Sequence, residues 1–344
     1  MSLPPSVLRP GPRNLITDVT GIKVGQAEDL AARTGATVIL PEAPVTAAVS
    51  VMGGAPGTRE TDALDPTRLL GGVIDAVTLS GGSVYGLDAA SGVTAWLGTR
   101  GRGYEIAGSG VRAPIVPAAI LFDLSNGGDK GWGEEPPYRD LGAAAAANAS
   151  DTFALGNAGA GFGARAGSLK GGTGSASLVS EDGLQVGALM AVNSYGSAII
   201  PGSKSFWAAP FEMSDEFGGV APATLPANAE WQDGTKAGDA GLRQNTTIGV
   251  VATNADLSAA ECTRIAVMAH DGLARALRPA HAPVDGDAIF VIATGAYKLD
   301  EEMRVRHLSE LGTYAGDCVA RAIARGVYEA ETLGEIIGYR DAAK

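Results

Sequence analysis

The chain has 344 residues, 45% of them hydrophobic, enough to bury a large core without disulfide or metal staples. Its 26 Lys and Arg against 38 Asp and Glu give a formal charge of −12, which argues against a nucleic-acid partner and against an anionic membrane surface. Cys262 and Cys318 make no framework and read as small packed hydrophobes. No run of about 18 apolar residues marks a membrane span, and the proline-rich first 15 residues lack the apolar segment of a signal peptide. A cytoplasmic protein is expected.

Residues 1–14 read as an irregular leader. Residues 36–40 and 45–52 are β-branched or small apolar runs bounded by Gly and Pro, the pattern of buried strands. A glycine turn at 53–57 leads into a polar string. Residues 76–79 form a short strand that runs into Ser80, Gly81 and Gly82, with a helix expected over 84–97. Residues 116–121 read as a strand, 123–137 as a Gly-rich charged loop, and the alanine-rich 141–148 as a helix. Residues 156–177 read as a second glycine-dense loop. A strand over 186–192 stops at Asn193. Residues 201–244 carry no periodicity and read as a surface loop or linker. After Asn245 the pattern sharpens. Residues 246–253 form a strand, and Ser258 with Glu261 forms a capping box. One helical face then runs from Leu257 to Leu277 and closes at Pro279. A strand over 288–294 and a helix over 308–329 complete a β-α-β-α tail. This order fits a layered α/β or α+β sandwich better than a barrel. Glycine, at 49 residues, is about twice its average share and not periodic, which points to tight turns and close backbone approaches.

Familiar catalytic sets are missing. Gly82-Ser83-Val84 lacks the trailing glycine of a nucleophile elbow. Lys170 is followed by glycines rather than Ser or Thr, so no Walker A loop is present, and the 161–166 glycines make only a weak dinucleotide fingerprint. The three histidines, His270, His281 and His307, have no zinc-ligand spacing. No metal and no cofactor is expected. The junction Gln244-Asn245-Thr246-Thr247-Ile248 is different, because an unpatterned stretch ends abruptly at a strand that starts with a hydroxyl residue. If the bond before Thr246 breaks, hydroxyl and α-amine sit on one residue. An amine with a pKa of ~7.7–8 can take the hydroxyl proton, which is the activated nucleophile of an N-terminal threonine. From the local pattern alone, a plain strand start is the better reading of the same residues.

Six stretches overturn that reading: Asn14-Leu-Ile-Thr-Asp-Val-Thr-Gly-Ile-Lys-Val-Gly25, Gly57-Thr-Arg-Glu-Thr-Asp62, Leu79-Ser-Gly-Gly-Ser-Val-Tyr-Gly-Leu87, Lys170-Gly-Gly-Thr-Gly174, Asn245-Thr-Thr-Ile248 and Asp285-Gly-Asp287. In these stretches, and in their order, the chain resembles the DmpA family of self-processing hydrolases. That family includes L-aminopeptidase/D-esterases, β-peptidyl aminopeptidases and the nylon-oligomer hydrolase. The resemblance implies an α+β fold, a four-layer αββα sandwich with two sheets stacked between helical layers. It implies one hydrolase domain over 1–344, self-cleaved into 1–245 and 246–344, with the cleaved pairs assembling further as homotetramers. It also implies a small peptide or amide as substrate.

By the same resemblance Thr246 is the nucleophile and Asn245–Thr246 the scissile bond. Asp285 and Asp287 would orient the Thr246 ammonium and raise its pKa by charge pairing; solvated turn aspartates or a Mg/Ca site are the rival readings. Asn193 matches an oxyanion-stabilising Asn, and Lys170 an active-site Lys, although the glycine loop before it is two residues longer than in the nylon-oligomer type. Phe122 stands where that type has Tyr, so either the missing hydroxyl comes from elsewhere, with Tyr85 and Tyr195 as candidates, or the substrate range differs. The amides of Ser80, Gly81 and Gly82 could bind a carboxylate or line a pocket. The alternatives are an uncleaved, non-catalytic relative that binds a metabolite or partner protein, and a conventional hydrolase that pairs His270 with a serine.

Overall fold

A computed structural model describes residues 8–68, 71–238 and 245–342. Residues 1–7 of the expected leader and 239–244 of the expected long loop lie outside the described residues. Two sheets dominate. The larger has six strands, in the order Gly172–Val179, Gln185–Asn193, Thr246–Ala255, Ala288–Tyr297, Val45–Val51, Val73–Ile74. The smaller has five, in the order Ile22–Asp29, Thr34–Pro41, Val77–Ser80, Ala118–Ile120, Thr58–Arg59.

Side-chain alternation stacks the layers. On Gln185–Asn193, Leu189 and Ala191 face the second sheet, where they meet Ile39, Val77 and Leu79. Ala188, Met190 and Val192 face the other way and pack under the helices Ala259–Ala269 and Arg304–Tyr328. Val38 and Leu40, on the outer face of the smaller sheet, meet the helices Ala89–Gly98 and Tyr138–Ala147. Three apolar seams between four layers are the expected αββα sandwich, an α+β fold. Strands covered on both faces read as continuous apolar runs, which is why 246–253 and 288–294 stand out in the sequence.

Several boundaries differ. Residues 172–179 are the first strand of the larger sheet, at its edge, not a loop. Their glycines serve a close approach, because a Cβ on Gly172 or Gly174 would run into Gly326 or Ala322 of the long helix. Ile22–Asp29 is a further strand, paired along its length with Thr34–Pro41. The face from Leu257 to Leu277 is split into Ala259–Ala269 and Asp271–Ala276, with the break at His270. The Ser258–Glu261 capping box forms as expected. The described part of the 201–244 segment has only a short 3₁₀ turn, Ala209–Phe211. It is nevertheless anchored rather than superficial, with Phe206 and Phe217 buried in the helix-side core.

That anchoring includes a buried ionic cluster. Arg321 of the long helix donates to Glu216 through Nε at 2.5 Å and Nη2 at 3.0 Å. The same guanidinium donates to the Ser177 carbonyl and to Asn14 Oδ1. Asn14 Nδ2 closes the ring on Glu216 at 2.5 Å. Cys262 and Cys318 are free and buried, and burial pushes both thiols up to about 12. No described helix is long and apolar enough to cross a membrane.

Candidate active site

Thr246 opens the strand Thr246–Ala255, opposite Asn193, the last residue of its antiparallel neighbour. Both are buried, Thr246 at 4% exposure and Asn193 at 2%. With the Asn245–Thr246 peptide intact, Thr246 Oγ1 donates in a short contact to the carbonyl oxygen of Asn245. The same oxygen accepts the Gly286 N–H at 3.0 Å. Gly286 is there because Asn245 pairs in parallel with Asp285. A hydroxyl and a backbone donor thus converge on one carbonyl. Asn245 Oδ1 is buried with no hydrogen-bond partner among the described residues, an orphan acceptor of the kind that costs about 1–3 kcal/mol.

Asp285 and Asp287 flank this junction, and their four oxygens all accept protein donors. Asp285 takes Tyr195 N at 3.1 Å and Ala282 N at 2.9 Å. Asp287 takes Thr247 N at 2.8 Å on one oxygen. Its other oxygen takes the backbone N of His281 at 3.1 Å and lies 2.8 Å from His281 Nδ1. With the bond intact, then, the carboxylates hold the residues around Thr246 rather than Thr246 itself. Burial, then the Asp287 charge, pushes the Asp285 carboxyl up; the Tyr195 and Ala282 amides and the Lys236 charge oppose this. Carboxylate oxygens saturated by N–H donors are poor material for the rival Mg/Ca reading, and among the described residues no group of three or more His, Cys, Asp or Glu is placed to hold a metal.

Asn193 has a fixed amide orientation. Its Oδ1 accepts Arg165 N at 2.9 Å, so its Nδ2 is the donor, and it points to the Phe122 carbonyl at 2.9 Å. In the intact chain the expected oxyanion donor therefore serves Phe122. Phe122 takes part through its backbone and lines the adjoining cavity. A lysine that the sequence reading missed completes this group. Lys236 Nζ reaches Asn193 O at 3.2 Å and Oδ1 at 3.3 Å. It is buried, and its charge bears on Asp285. Its segment is pinned by the Lys236 N–Tyr195 O bond and by Trp231 stacked on Tyr195. An aperiodic stretch gives no local signal for such a residue.

Lys170, the lysine the sequence singled out, is fully buried and donates to the carbonyls of Gly161 and Gly171 at 3.2 and 2.6 Å. Burial brings its ammonium down to about 7, against the opposing effect of Asp123. Lys236, not Lys170, lines the cavity beside Asn193. The Ser80–Gly82 amides are already engaged. Gly82 N donates to Asp123 Oδ1 at 2.7 Å and Gly81 N to Gly35 O at 2.9 Å. The one carboxylate among these partners, Asp123 on Gly82 N, is internal. Tyr85 is half-exposed on the 3₁₀ turn Ser83–Asp88, edge-on to Trp132, and does not line the cavity. Tyr195 offers Asp285 its backbone N–H. His270 is buried with Nε2 on the Ser50 carbonyl at 3.0 Å, and burial lowers its pKa to about 4. No hydrogen bond joins it to a serine hydroxyl among the described residues, which removes the geometric basis for a His270–serine pair. The 161–166 glycines lead into a two-stranded hairpin rather than a helix, so the dinucleotide fingerprint has no structural counterpart.

The cavity beside Asn193 has a volume of about 710 Å³, within the range of small-ligand sites.

The family model of peptidase family S58 matches residues 14–340. An uncharacterized aminopeptidase of Mycobacterium tuberculosis is 45% identical, over 95% of this chain and 97% of its own. A 6-aminohexanoate-oligomer endohydrolase of Kocuria sp. is 27% identical, over 95% of this chain and 86% of its own. Among solved structures, the L-aminopeptidase D-Ala-esterase/amidase of Ochrobactrum anthropi superposes with a TM-score of 0.72 at 21% identity, covering 98% of this chain and 94% of that one. A Burkholderia sp. beta-aminopeptidase gives 0.71 at 22%, covering 98% and 93%. The chain belongs to peptidase family S58, the DmpA family, and is an aminopeptidase or amidohydrolase of that family.

Proposed function

We propose that the chain cuts itself between Asn245 and Thr246 and that the freed Thr246 is the nucleophile for amide hydrolysis. The observation that carries this reading is the buried Thr246 hydroxyl lying against the Asn245 carbonyl, whose oxygen already accepts Gly286 N–H. Thr246 Oγ1 attacks the carbonyl carbon, and the Gly286 amide stabilises the developing oxyanion. The C–N bond then breaks, the nitrogen takes up the hydroxyl proton, and an ester remains. Water hydrolyses it to the Asn245 carboxylate and restores the hydroxyl.

Substrate turnover repeats the sequence. The new α-amine accepts the Thr246 proton, the acyl group moves onto Oγ1, the leaving amine takes a proton, and water releases the acid. Asp285 and Asp287 are the charges that would hold the amine. Asn193, released from Phe122, would donate to the substrate oxyanion, with Lys236 fixing its amide. Ladder pairing of Gln185–Asn193 with Thr246–Ala255, and the Arg321–Glu216 cluster, support fragments that stay together. Exposed Tyr104, Ile106 and Val111 support assembly of the pairs into a homo-oligomer.

The test is Thr246→Ala. It should remain one polypeptide on a denaturing gel and hydrolyse no amide, while the parent protein yields two bands and activity. A parent that hydrolyses amides as a single uncut chain would contradict this reading.

A further inference from the structure

The cavity beside Asn193 is electropositive within an acidic protein. Arg33, Arg165 and Lys236 line it against Asp123 and Glu335. The two carboxylates do not balance the three cations equally. Asp123 is buried with one oxygen on Thr34 Oγ1 and the other on Gly82 N, and Glu335 is exposed at the rim. Lys236 is engaged with Asn193.

Arg33 is the informative side chain. It is half-buried in the turn between the strands Ile22–Asp29 and Thr34–Pro41. Its backbone is left-handed, with φ of 49°, a conformation that an arginine holds only where the surroundings impose it. Its guanidinium makes one hydrogen bond among the described residues, Nη1 to the Asn126 carbonyl at 2.9 Å, and no ion pair. Gly127 and Gly334 clear its path; a Cβ on Gly334 would stand 2.5 Å from Nη1 and 3.2 Å from Nη2. Most of the five donors of the fork are therefore left for something in the cavity. A planar fork in a site with more cations than carboxylates selects carboxylates, which it binds through two parallel bonds.

We propose that this cavity takes amides bearing a free carboxylate, which the Arg33 guanidinium receives. The assignment rests on Thr246 being the nucleophile, which does not itself line the cavity but pairs across the sheet with Asn193, which does. The carboxylate lies either on the leaving amine, as a peptide C-terminus, or on the acyl part, as an acidic side chain.

Two matched substrate pairs test it on the purified, self-cleaved protein. Alanyl-alanine against alanyl-alaninamide probes the leaving side. Glutamyl against glutaminyl p-nitroanilide probes the acyl side. In at least one pair kcat/KM should favour the acid by about tenfold or more, the scale of a charge-assisted hydrogen bond. Arg33→Gln should bring that ratio close to one, and Arg33→Lys, a charge without a fork, should leave it intermediate. Ratios near one for both pairs in the parent protein would overturn the assignment without any variant, and so would a preference that survives Arg33→Gln. A cut, active enzyme with ratios near one overturns the carboxylate assignment alone. An uncut chain that hydrolyses no pair overturns the nucleophile as well.

Discussion

Gly286→Ala would block the nucleophile without touching its chemistry. Gly286 has no left-handed φ, so alanine suits its backbone and the perturbation is purely steric. An added Cβ would stand 2.7 Å from Thr246 Oγ1, 2.9 Å from the Ala55 carbonyl and 3.3 Å from Thr246 Cγ2. Ordinary contact begins at 3.4 Å, so the hydroxyl must retreat by about 0.7 Å and the Ala55 carbonyl by about 0.5 Å, or the Asp285–Asp287 turn must move. Either motion separates the hydroxyl, the Asn245 carbonyl and the Gly286 N–H. Misplacement by about 1 Å costs on the order of a hundredfold in rate, so self-cleavage should slow about 10- to 100-fold. Overpacking of this kind costs about 1–3 kcal/mol, too little to unfold a protein with this core. The assay is the decay of the full-length band after a pulse of synthesis, with the melting temperature measured in parallel. Gly98→Ala, whose Cβ would meet only ordinary contacts at 3.6 Å and beyond, is the control and should mature normally. A folded Gly286→Ala that matures at the parent rate would refute the placement of the hydroxyl against the scissile carbonyl.

Lys236→Met should lower kcat by about 10- to 1000-fold, since it loosens the Asn193 amide that is to serve the oxyanion. The Lys236 charge lowers the Asp285 carboxyl, so its loss should move the acidic limb of the rate profile to higher pH; an unmoved limb would contradict the coupling. His281→Ala removes the ring that meets Asp287 at 2.8 Å and should slow self-cleavage about tenfold, the scale of a hydrogen bond to a charged group. That effect should appear as a lower first-order rate of full-length band decay with the melting temperature nearly constant, whereas a purely structural role would lower the melting temperature alone. Arg321→Met strands buried Glu216 and should destabilise by about 3–5 kcal/mol, read from denaturant midpoints; adding Glu216→Gln should recover much of the loss.

The legible parts of the sequence are those whose physics is local. Strands such as Thr246–Ala255 are sheathed on both faces, so they show as runs of β-branched and small residues without polar alternation. Ser258 and Glu261 cap the next helix within four residues. Gly172–Val179 hid because the long helix lies so close to it that only small residues fit, and Gly, Thr, Ser and Ala read as a loop. The helix break at His270 is tertiary, since the side chain turns inward to the Ser50 carbonyl. Around the site, Thr246, Asp285 and Asp287 are legible through ordered motifs rather than periodicity, and Asn193 as the residue where a strand stops; the fold gathers all four. The Lys170-Gly-Gly-Thr-Gly174 stretch singles out Lys170, and nothing local marks Lys236. Only three-dimensional packing decides that one fills a cage of carbonyls while the other, in an aperiodic stretch, reaches Asn193.

The most direct test of the central claim is the intact mass of the purified protein under denaturing conditions. The account predicts two species, residues 1–245 and residues 246–344, the smaller beginning Thr-Thr-Ile-Gly. A single species of 344 residues in a catalytically active preparation would contradict it.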